Sequence, residues 1–535
     1  MNRRAFLVGS AAALSAAALY PLVRERAASP PSGELLGAAY GIGHLLREGG
    51  LPAPSSERHV PVVIVGGGIS GLSAGWKLTK AGFEDFEIVE LEPECGGNSR
   101  SGENSVSRYP WGAHYVPVPS EESRAVRELF AELGVIERYD AAGHPICNEE
   151  FLCFSPQERL YIHGRWQDGL LPLVGATRTD HDEYTRFRDL VHAARARRGS
   201  DGRKAFAIPM ELSSRDRELL ELDRLSIRDF LLRENLTSHR LHWYVDYACR
   251  DDFGCRATDV SAWAGIHYFA SRGEDSAVLT WPEGNGWLVE RLRQKVVKQL
   301  RTNALVYRME DADRRVALSV FDPRERRSTR LLADQVIFAA PTHTLKFILA
   351  ESAQPRHLGE FQYAPWMVAN LTLRGFPKER TGTPICWDNV IYDSDSLGYV
   401  VATHQSLRTH LEGTVLTYYY PLAGSSPDAE RRRLLETPWS TWAESILRDL
   451  SKPHPEIRGL VSRLDVFRWG HAMVRPRPGF LWSDARRQAA IPVGNLHFAH
   501  SDLSGFSIFE EAQYRGVAAA ERVLDNLRVP YVSSL

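Results

Sequence analysis

The stretch that most constrains this chain begins at Val60. Val60-Pro61-Val62-Val63-Ile64-Val65 is short and β-branched, as a parallel strand buried on both faces should be. Gly66-Gly67-Gly68-Ile69-Ser70-Gly71 follows at once and fits G-x-G-x-x-G. Residues 69 to 81 have helical character, and Gly82 ends the run. A second strand, Phe86-Glu87-Ile88-Val89, leads to Glu90. Each part has a physical task. Gly66 permits a tight turn off the strand. Gly68 lets a pyrophosphate approach the backbone, and Gly71 lets helix and sheet pack closely. Ile69 and Ser70 open a helix whose free N–H groups and positive dipole end face the phosphates. Glu90 is placed to accept hydrogen bonds from ribose hydroxyls. The order strand, glycine turn, helix, strand, acid predicts a dinucleotide site in an α/β fold.

A second glycine pair selects among dinucleotides. Glu90 is followed by Leu91-Glu92-Pro93-Glu94-Cys95-Gly96-Gly97-Asn98-Ser99-Arg100-Ser101, and Gly96-Gly97 has no place in a plain NAD fingerprint. Further segments extend the pattern: Trp111-Gly112-Ala113-His114-Tyr115, Pro282-Glu283-Gly284-Asn285-Gly286-Trp287, Val306-Tyr307-Arg308-Met309, Asp334 through Pro341, and Leu496 through Gly505. Together they resemble the flavin amine oxidase and phytoene desaturase superfamily. The resemblance runs from about residue 59 to 527 and is most specific at 62–101, 334–341 and 496–520.

The resemblance implies FAD as cofactor and a glutathione-reductase-like, Rossmann-type domain assembled from separated segments. It implies FAD contacts at Gly66, Gly68, Ile69, Ser70, Gly71, Glu90, Gly96, Gly97 and Asn98. Gly112 and Ala113 would lie beside the flavin ring, Val306 against adenine, Ala340 on the strand returning to the FAD domain, and Asp502 near the ribityl chain. Asn98 departs from the family's arginine, and Arg100 stands two positions on. The expected domains are an FAD-binding domain over 59–119, 276–345 and 490–530, and an inserted α+β substrate or cap domain over 120–275 and 346–489. Residues 120–275 read mostly helical; Val368 to Leu373 and Val415 to Tyr420 alternate like strands.

Flavin chemistry needs a substrate held over the ring and few protein groups beyond those that orient it. The amine-oxidising branch carries a lysine before a strand that matches Tyr363 to Leu373 here, and its place holds Val368. No lysine lies between Lys346 and Lys378. His114 and His471 are the acid–base candidates. Trp366, Trp387, Tyr418 to Tyr420 and Trp469 can wall a pocket or fill a core. Four readings stand: an FAD-dependent oxidoreductase acting on an amine or another C–N or C–C bond; a desaturase or isomerase on an apolar substrate; a non-catalytic flavin protein; and an NAD enzyme with a chance glycine pair. Whether oxygen, a quinone or another partner reoxidises the flavin is not written in the sequence.

Composition narrows the remainder. The formal net charge of -2 gives no global attraction to nucleic acid. Six cysteines without a CxxC motif suggest buried thiols, with one disulfide as the alternative, and no zinc pattern is present. Met1-Asn2-Arg3-Arg4-Ala5-Phe6-Leu7 and the uncharged run to Val23 resemble a twin-arginine export signal over 1–28. That implies the twin-arginine machinery as a partner and a periplasmic or otherwise exported location. A retained anchor with peripheral membrane association is the alternative. Residues 29–58, rich in Gly, Pro and Ser, read as a linker with a short helical patch near Leu35 to Leu46.

Overall fold

The computed structural model describes residues 31–535 apart from 274–276, 351–353, 355–357 and 425. The segment read as an export signal lies outside the described residues. Two large sheets organise the rest. In the first, Leu300–Arg301, Phe86–Val89, Pro54–Val65 and Arg327–Phe338 run parallel in that spatial order, and Leu496–Phe498 adds a further parallel strand beside Arg327–Phe338. Val316–Asp322 and Leu305–Asp311 continue it antiparallel. Val62, Val63 and Ile64 are fully buried, as the β-branched run requires. Helix Ile69–Lys80 packs on this sheet, and helix Phe509–Leu527 packs on that helix. Their approach is close: a Cβ at Gly516 would lie 2.1 Å from the Ser70 carbonyl oxygen. Strands from the beginning, middle and end of the chain thus build one sheet.

The second sheet has eight strands in the order Leu35–Gly37, Val461–Val474, Tyr363–Leu373, Thr414–Pro421, Tyr399–Val401, Asp388–Ile391, Glu158–Ile162 and Arg165–Asp168. Alternation divides its faces. Met367, Ala369, Tyr399 and Tyr418 pack with Trp442 and Ile446 of the helix Trp439–Leu450. Val368, Val400, Tyr419 and Phe467 belong to the opposite core. Helices His239–Phe253 and Ala262–Ala270 contribute to that opposite core. The segment 120–275, read as mostly helical, also supplies Glu158–Ile162 and Arg165–Asp168.

Residues 31–58 do not form the linker expected over 29–58. Leu35–Gly37 pairs in parallel with Val466 to Arg468, and helices Tyr40–Gly43 and Leu45–Glu48 follow. The Glu34 N–H donates to Asp465 Oδ1 at 2.9 Å, and the Ala39 N–H donates to Glu92 Oε1 at 2.7 Å. The segment therefore touches both sheets. The first strand starts at Pro54 rather than near His59, because residues 54–59 pair with 328–332 through backbone while their side chains stay exposed. Polar, exposed ladder residues carry no hydrophobic alternation to betray them. All six cysteines are buried free thiols.

Candidate active site

The glycine turn holds its shape by close contact. Gly66 has φ +102°, and a Cβ there would lie 2.9 Å from the Ala340 nitrogen, so this turn and the end of Arg327–Phe338 leave no room for a side chain. A Cβ at Gly71 would lie 1.9 Å from the Gly66 carbonyl oxygen. Gly68 differs: an added Cβ would meet no protein atom within 4 Å. Gly68 is also the N-cap of helix Ile69–Lys80, and no side chain caps that helix. Its first N–H groups and dipole face the open side of Gly68. The Gly96 N–H donates to the Gly67 carbonyl at 2.8 Å, bringing the second glycine pair against the first turn. Gly97 lies there too, with φ +55°.

Glu90 is buried, and burial holds its pKa above the ordinary carboxylate value. Its Oε2 accepts the Gly67 N–H at 2.5 Å and its Oε1 the Glu92 N–H at 2.8 Å. Each oxygen keeps a further lone pair for a ribose hydroxyl. The Ala304 N–H donates to the Glu90 carbonyl at 2.9 Å, which sets Val306 two residues beyond this end of the site. These residues fit FAD: open space at Gly68, an uncapped helix N-terminus and a buried acid at the second strand end. Two side chains at the predicted positions are engaged within the protein. The Ser70 hydroxyl donates to the Ala512 carbonyl at 2.8 Å, so backbone rather than side chain is left for a phosphate. Asn98 Nδ2 donates to the Ala472 carbonyl at 2.5 Å. Arg100 pairs with Glu92 at 3.0 Å and lies over Phe467 and Trp469, its Nε without a partner.

The stretch before His114 is pinned to the second sheet by consecutive carbonyls. Pro110 accepts from Asn370 Nδ2 at 3.0 Å, Trp111 from Trp469 Nε1 at 2.7 Å, and Gly112 from the Tyr419 hydroxyl at 2.9 Å. The Ala113 N–H donates to the Asn98 carbonyl at 2.9 Å, and Thr280 Oγ1 donates to the His114 carbonyl at 2.8 Å. Gly284, φ +58°, is required because a Cβ would sit 2.8 Å from His114 Cα. This stretch is thus fixed from the second sheet on one side and from the second glycine pair and strand Val278–Thr280 on the other.

His114 stacks on Tyr419 at 4.7 Å between centroids and lies 5.4 Å from Trp387. Burial pushes its pKa down to about 4, while a hydrogen bond to the Gly112 carbonyl works the other way. It is neutral at pH 7, with one ring nitrogen engaged and the other available as acceptor. Val368 is the register partner of Tyr419 and is buried beside it.

His471 stands elsewhere. It stacks on His343 at 4.1 Å and on the Tyr363 edge at 5.6 Å. Burial, then His343, pushes its pKa well down. Asp502 belongs to this group. Its Oδ2 accepts the Tyr363 hydroxyl at 2.9 Å and the Thr342 N–H at 3.0 Å, and its Oδ1 lies 3.1 Å from His500 Nδ1. Burial works to raise its pKa, but His500 and these bonds hold it down to about 2. The two histidine candidates share no contact, and only His114 stands at the Gly112–Ala113 stretch.

Sequence reasoning named Trp387 and Tyr419 but missed the carboxyl groups around them. Asp388 and Glu158 are register partners on adjacent strands and share a face. The Tyr247 hydroxyl is 3.5 Å from Asp388 Oδ2, and Asp251 lies one turn on in the same helix. Tyr115, Tyr244 and Tyr268 complete the aromatic walls. These groups are deep in the molecule yet retain accessible surface at Asp251, Asp388 and Tyr115, as the walls of an internal chamber do. The only sequence signal was an acid, Asp388, in the largely apolar run 386–391.

Comparison with known proteins agrees with this geometry. Residues 69–524 match the family described as Flavin containing amine oxidoreductase. An L-amino-acid oxidase of Bothrops pauloensis is 36% identical over 91 residues, 17% of this chain and 17% of that protein. The match thus spans about a sixth of that relative's length. Among solved structures, a triple mutant of putrescine oxidase superposes with a TM-score of 0.66 at 16% identity, covering 88% of this chain and 100% of that one. A fatty acid isomerase from P. acnes, described as CLA-producing, gives 0.59 at 14% identity over 88% and 99%.

Proposed function

The chain belongs to the flavin-containing amine oxidoreductase family, with FAD as its cofactor, and from that premise we propose that it oxidises the C–N bond of an amine. FAD, when bound, supplies the acceptor for a hydride leaving the carbon next to nitrogen. The residues do the rest. The pinned Gly112–Ala113 stretch fixes the floor of the chamber, and Tyr419 and Trp387 exclude water from it. The free ring nitrogen of neutral His114 accepts a hydrogen bond from the amine and orients its lone pair for C=N formation. His114 is the catalytic residue we favour; His471 we assign to the group that holds Asp502.

The observation that carries the amine reading is the acidic lining of the chamber. The comparison proteins bring three substrate classes: an amino acid, a diamine and a fatty acid. Two of these carry a carboxylate, which needs a free cation. The arginines that bear on Asp251 are Arg272, held by Asp252 at 2.6 Å, and Arg250, held by Asp246 at 3.0 Å. A chamber lined by Asp388, Asp251 and Glu158 suits an ammonium instead. Anaerobic mixing of the yellow protein with primary amines tests this: bleaching of the flavin band supports it, and an unmoved band refutes it. Val368 in place of lysine favours a second reading, a desaturase or isomerase on an apolar substrate. That reading requires an unsaturated fatty acid, and no amine, to perturb the flavin.

Three finer readings accompany the proposal. We read the parallel sheet with its glycine turn as a Rossmann-type, glutathione-reductase-like FAD domain in discontinuous segments, with the eight-stranded sheet and its helices as the inserted substrate domain. We read residues 1–28 as a twin-arginine export signal and the mature protein as periplasmic or otherwise exported. Loss of export on Arg3→Lys with Arg4→Lys, read by cell fractionation, is the expected outcome; unchanged export refutes it.

A further inference from the structure

Residues 38 to 52 cross the molecule in one run between two anchors. At one end Leu35–Gly37 lies on the edge of the second sheet beside Val466 to Arg468. At the other, the Pro52 carbonyl accepts the Tyr307 hydroxyl at 2.8 Å, and Pro54 opens the strand that leads to the glycine turn. Between the anchors stand only the four-residue helices Tyr40–Gly43 and Leu45–Glu48, neither with a buried residue. Helices this short do not hold themselves in water. Gly41, Gly43, Gly49 and Gly50 add backbone freedom that is lost on ordering. The run is nonetheless apolar on one side, with Ile42, Leu45 and Leu46 at i, i+3 and i+4.

The run follows the adenosine end of the cofactor site and touches three segments there. The Ala39 N–H donates to Glu92 Oε1 at 2.7 Å, two residues past the ribose acid Glu90. A Cβ at Gly43 would lie 3.7 Å from Leu91 Cδ2. Helix Leu45–Glu48 packs on Leu345–Ile348, which follows the strand Arg327–Phe338. Leu46 lies at the edge of the core that contains Val306 and Leu345. Tyr307, bonded to Pro52, is the neighbour of Val306, the residue placed against adenine. Glu92 also faces the other way: its Oε2 pairs with Arg100 Nη1 at 3.0 Å, just past Gly96-Gly97. One carboxylate therefore ties the run to the loop that carries the second glycine pair.

We propose that residues 38–48 form the outer wall of the FAD site at its adenosine end, a strap latched by the Ala39 N–H on Glu92 that opens to admit the cofactor and sets how fast it leaves. The inference rests on FAD as the cofactor and is independent of the amine reading. The strap opens without the rest of the fold because few bonds hold it, and a local opening costs far less than global unfolding. Closed over adenosine, its apolar side gains a partner. Binding FAD and ordering the strap are then one linked event.

The test uses the full-chain protein and two readouts. Ala39 has φ -67°, which proline shares, so Ala39→Pro removes the latch donor at a matching φ. The first readout is release of FAD after dilution, measured as the flavin left on the protein at timed intervals. Ala39→Pro is expected to release FAD about tenfold faster than wild type, the size of one hydrogen bond to a charged group, with the urea midpoint of the FAD-free protein unchanged. The second is amide hydrogen exchange of wild type with and without FAD. The amides of residues 42–44 and 47–49 bond only inside the strap. They are expected to exchange fast without FAD and about tenfold more slowly with it. An Ala39→Pro protein that keeps FAD as long as wild type overturns the proposal. A lowered FAD-free midpoint overturns it too, because the bond then belongs to the fold and is no latch. Strap amides protected equally with and without FAD also overturn it, and that result stands on wild type alone if the variant does not fold.

Discussion

Gly68 and Gly71 are three residues apart in the same turn, and the structure gives them opposite roles. An added Cβ at Gly71 would lie 1.9 Å from a backbone oxygen, and one at Gly68 would meet nothing within 4 Å. Gly68→Ala therefore leaves the unliganded fold intact. Its φ of -74° is open to any residue, and the gain from a stiffer unfolded chain is about 0.4–1 kcal/mol. Alanine is a poorer N-cap than glycine by a similar amount, so the two effects offset within about 1 kcal/mol. Gly71→Ala must push the strand turn from the helix, and overpacking of this kind costs about 1–3 kcal/mol or more. For FAD the order reverses. At FAD a hundredfold above its Kd, wild type gains about 2.7 kcal/mol from binding. If the new methyl occupies pyrophosphate space and weakens binding a hundredfold, the gain falls to about 0.4 kcal/mol. The assay is urea unfolding of each variant with and without FAD, together with flavin content after dialysis. Gly68→Ala should match wild type without FAD and lose the FAD-dependent shift. A Gly68→Ala protein that keeps its flavin, or that is as unstable without it as Gly71→Ala, would refute the reasoning.

Further outcomes follow from the same contacts. Tyr419→Phe removes one of the two donors to the Gly112 carbonyl, His114 being the other, so stability should fall by about 1 kcal/mol in urea unfolding and kcat should fall with the slackened floor. Asp502→Asn should cost about 2 kcal/mol near neutral pH, since the folded carboxyl titrates well below the unfolded one. That difference should be full above the unfolded pKa near 4 and vanish as pH falls toward about 2, which urea midpoints across that range would show. Asn389→Ala removes the 2.5 Å acceptor of Arg159 Nε, a guanidinium that is 1% exposed, and should destabilise by about 1.5–3 kcal/mol in urea unfolding.

What could be read from the sequence was what is local. The turn at Gly66–Gly71, the helix after it and Glu90 follow from spacing within some thirty residues, and backbone geometry forces those residue types. That Asp334–Pro341 brings a strand back to the first sheet was likewise legible once it was matched to a family pattern, whereas the order of the strands was not. Residues 54–59 were missed because an exposed, polar strand has no alternation. The Ser70 hydroxyl bonds the Ala512 carbonyl, a partner far along the chain that no local rule supplies. The chamber was hidden for the same reason. Glu158, Asp251 and Asp388 lie in three different elements, and only the register of the second sheet and the turn of His239–Phe253 bring them together. His114 and His471 looked equivalent in the sequence, and packing separated them.

The most direct test of the account is a single anaerobic turnover of the purified protein with a primary amine, compared with the same amine deuterated at the carbon next to nitrogen. The account predicts a yellow, FAD-containing protein whose visible band bleaches on mixing, more slowly with the deuterated amine. A protein that takes up no FAD, or whose flavin stays oxidised with every amine, would contradict it.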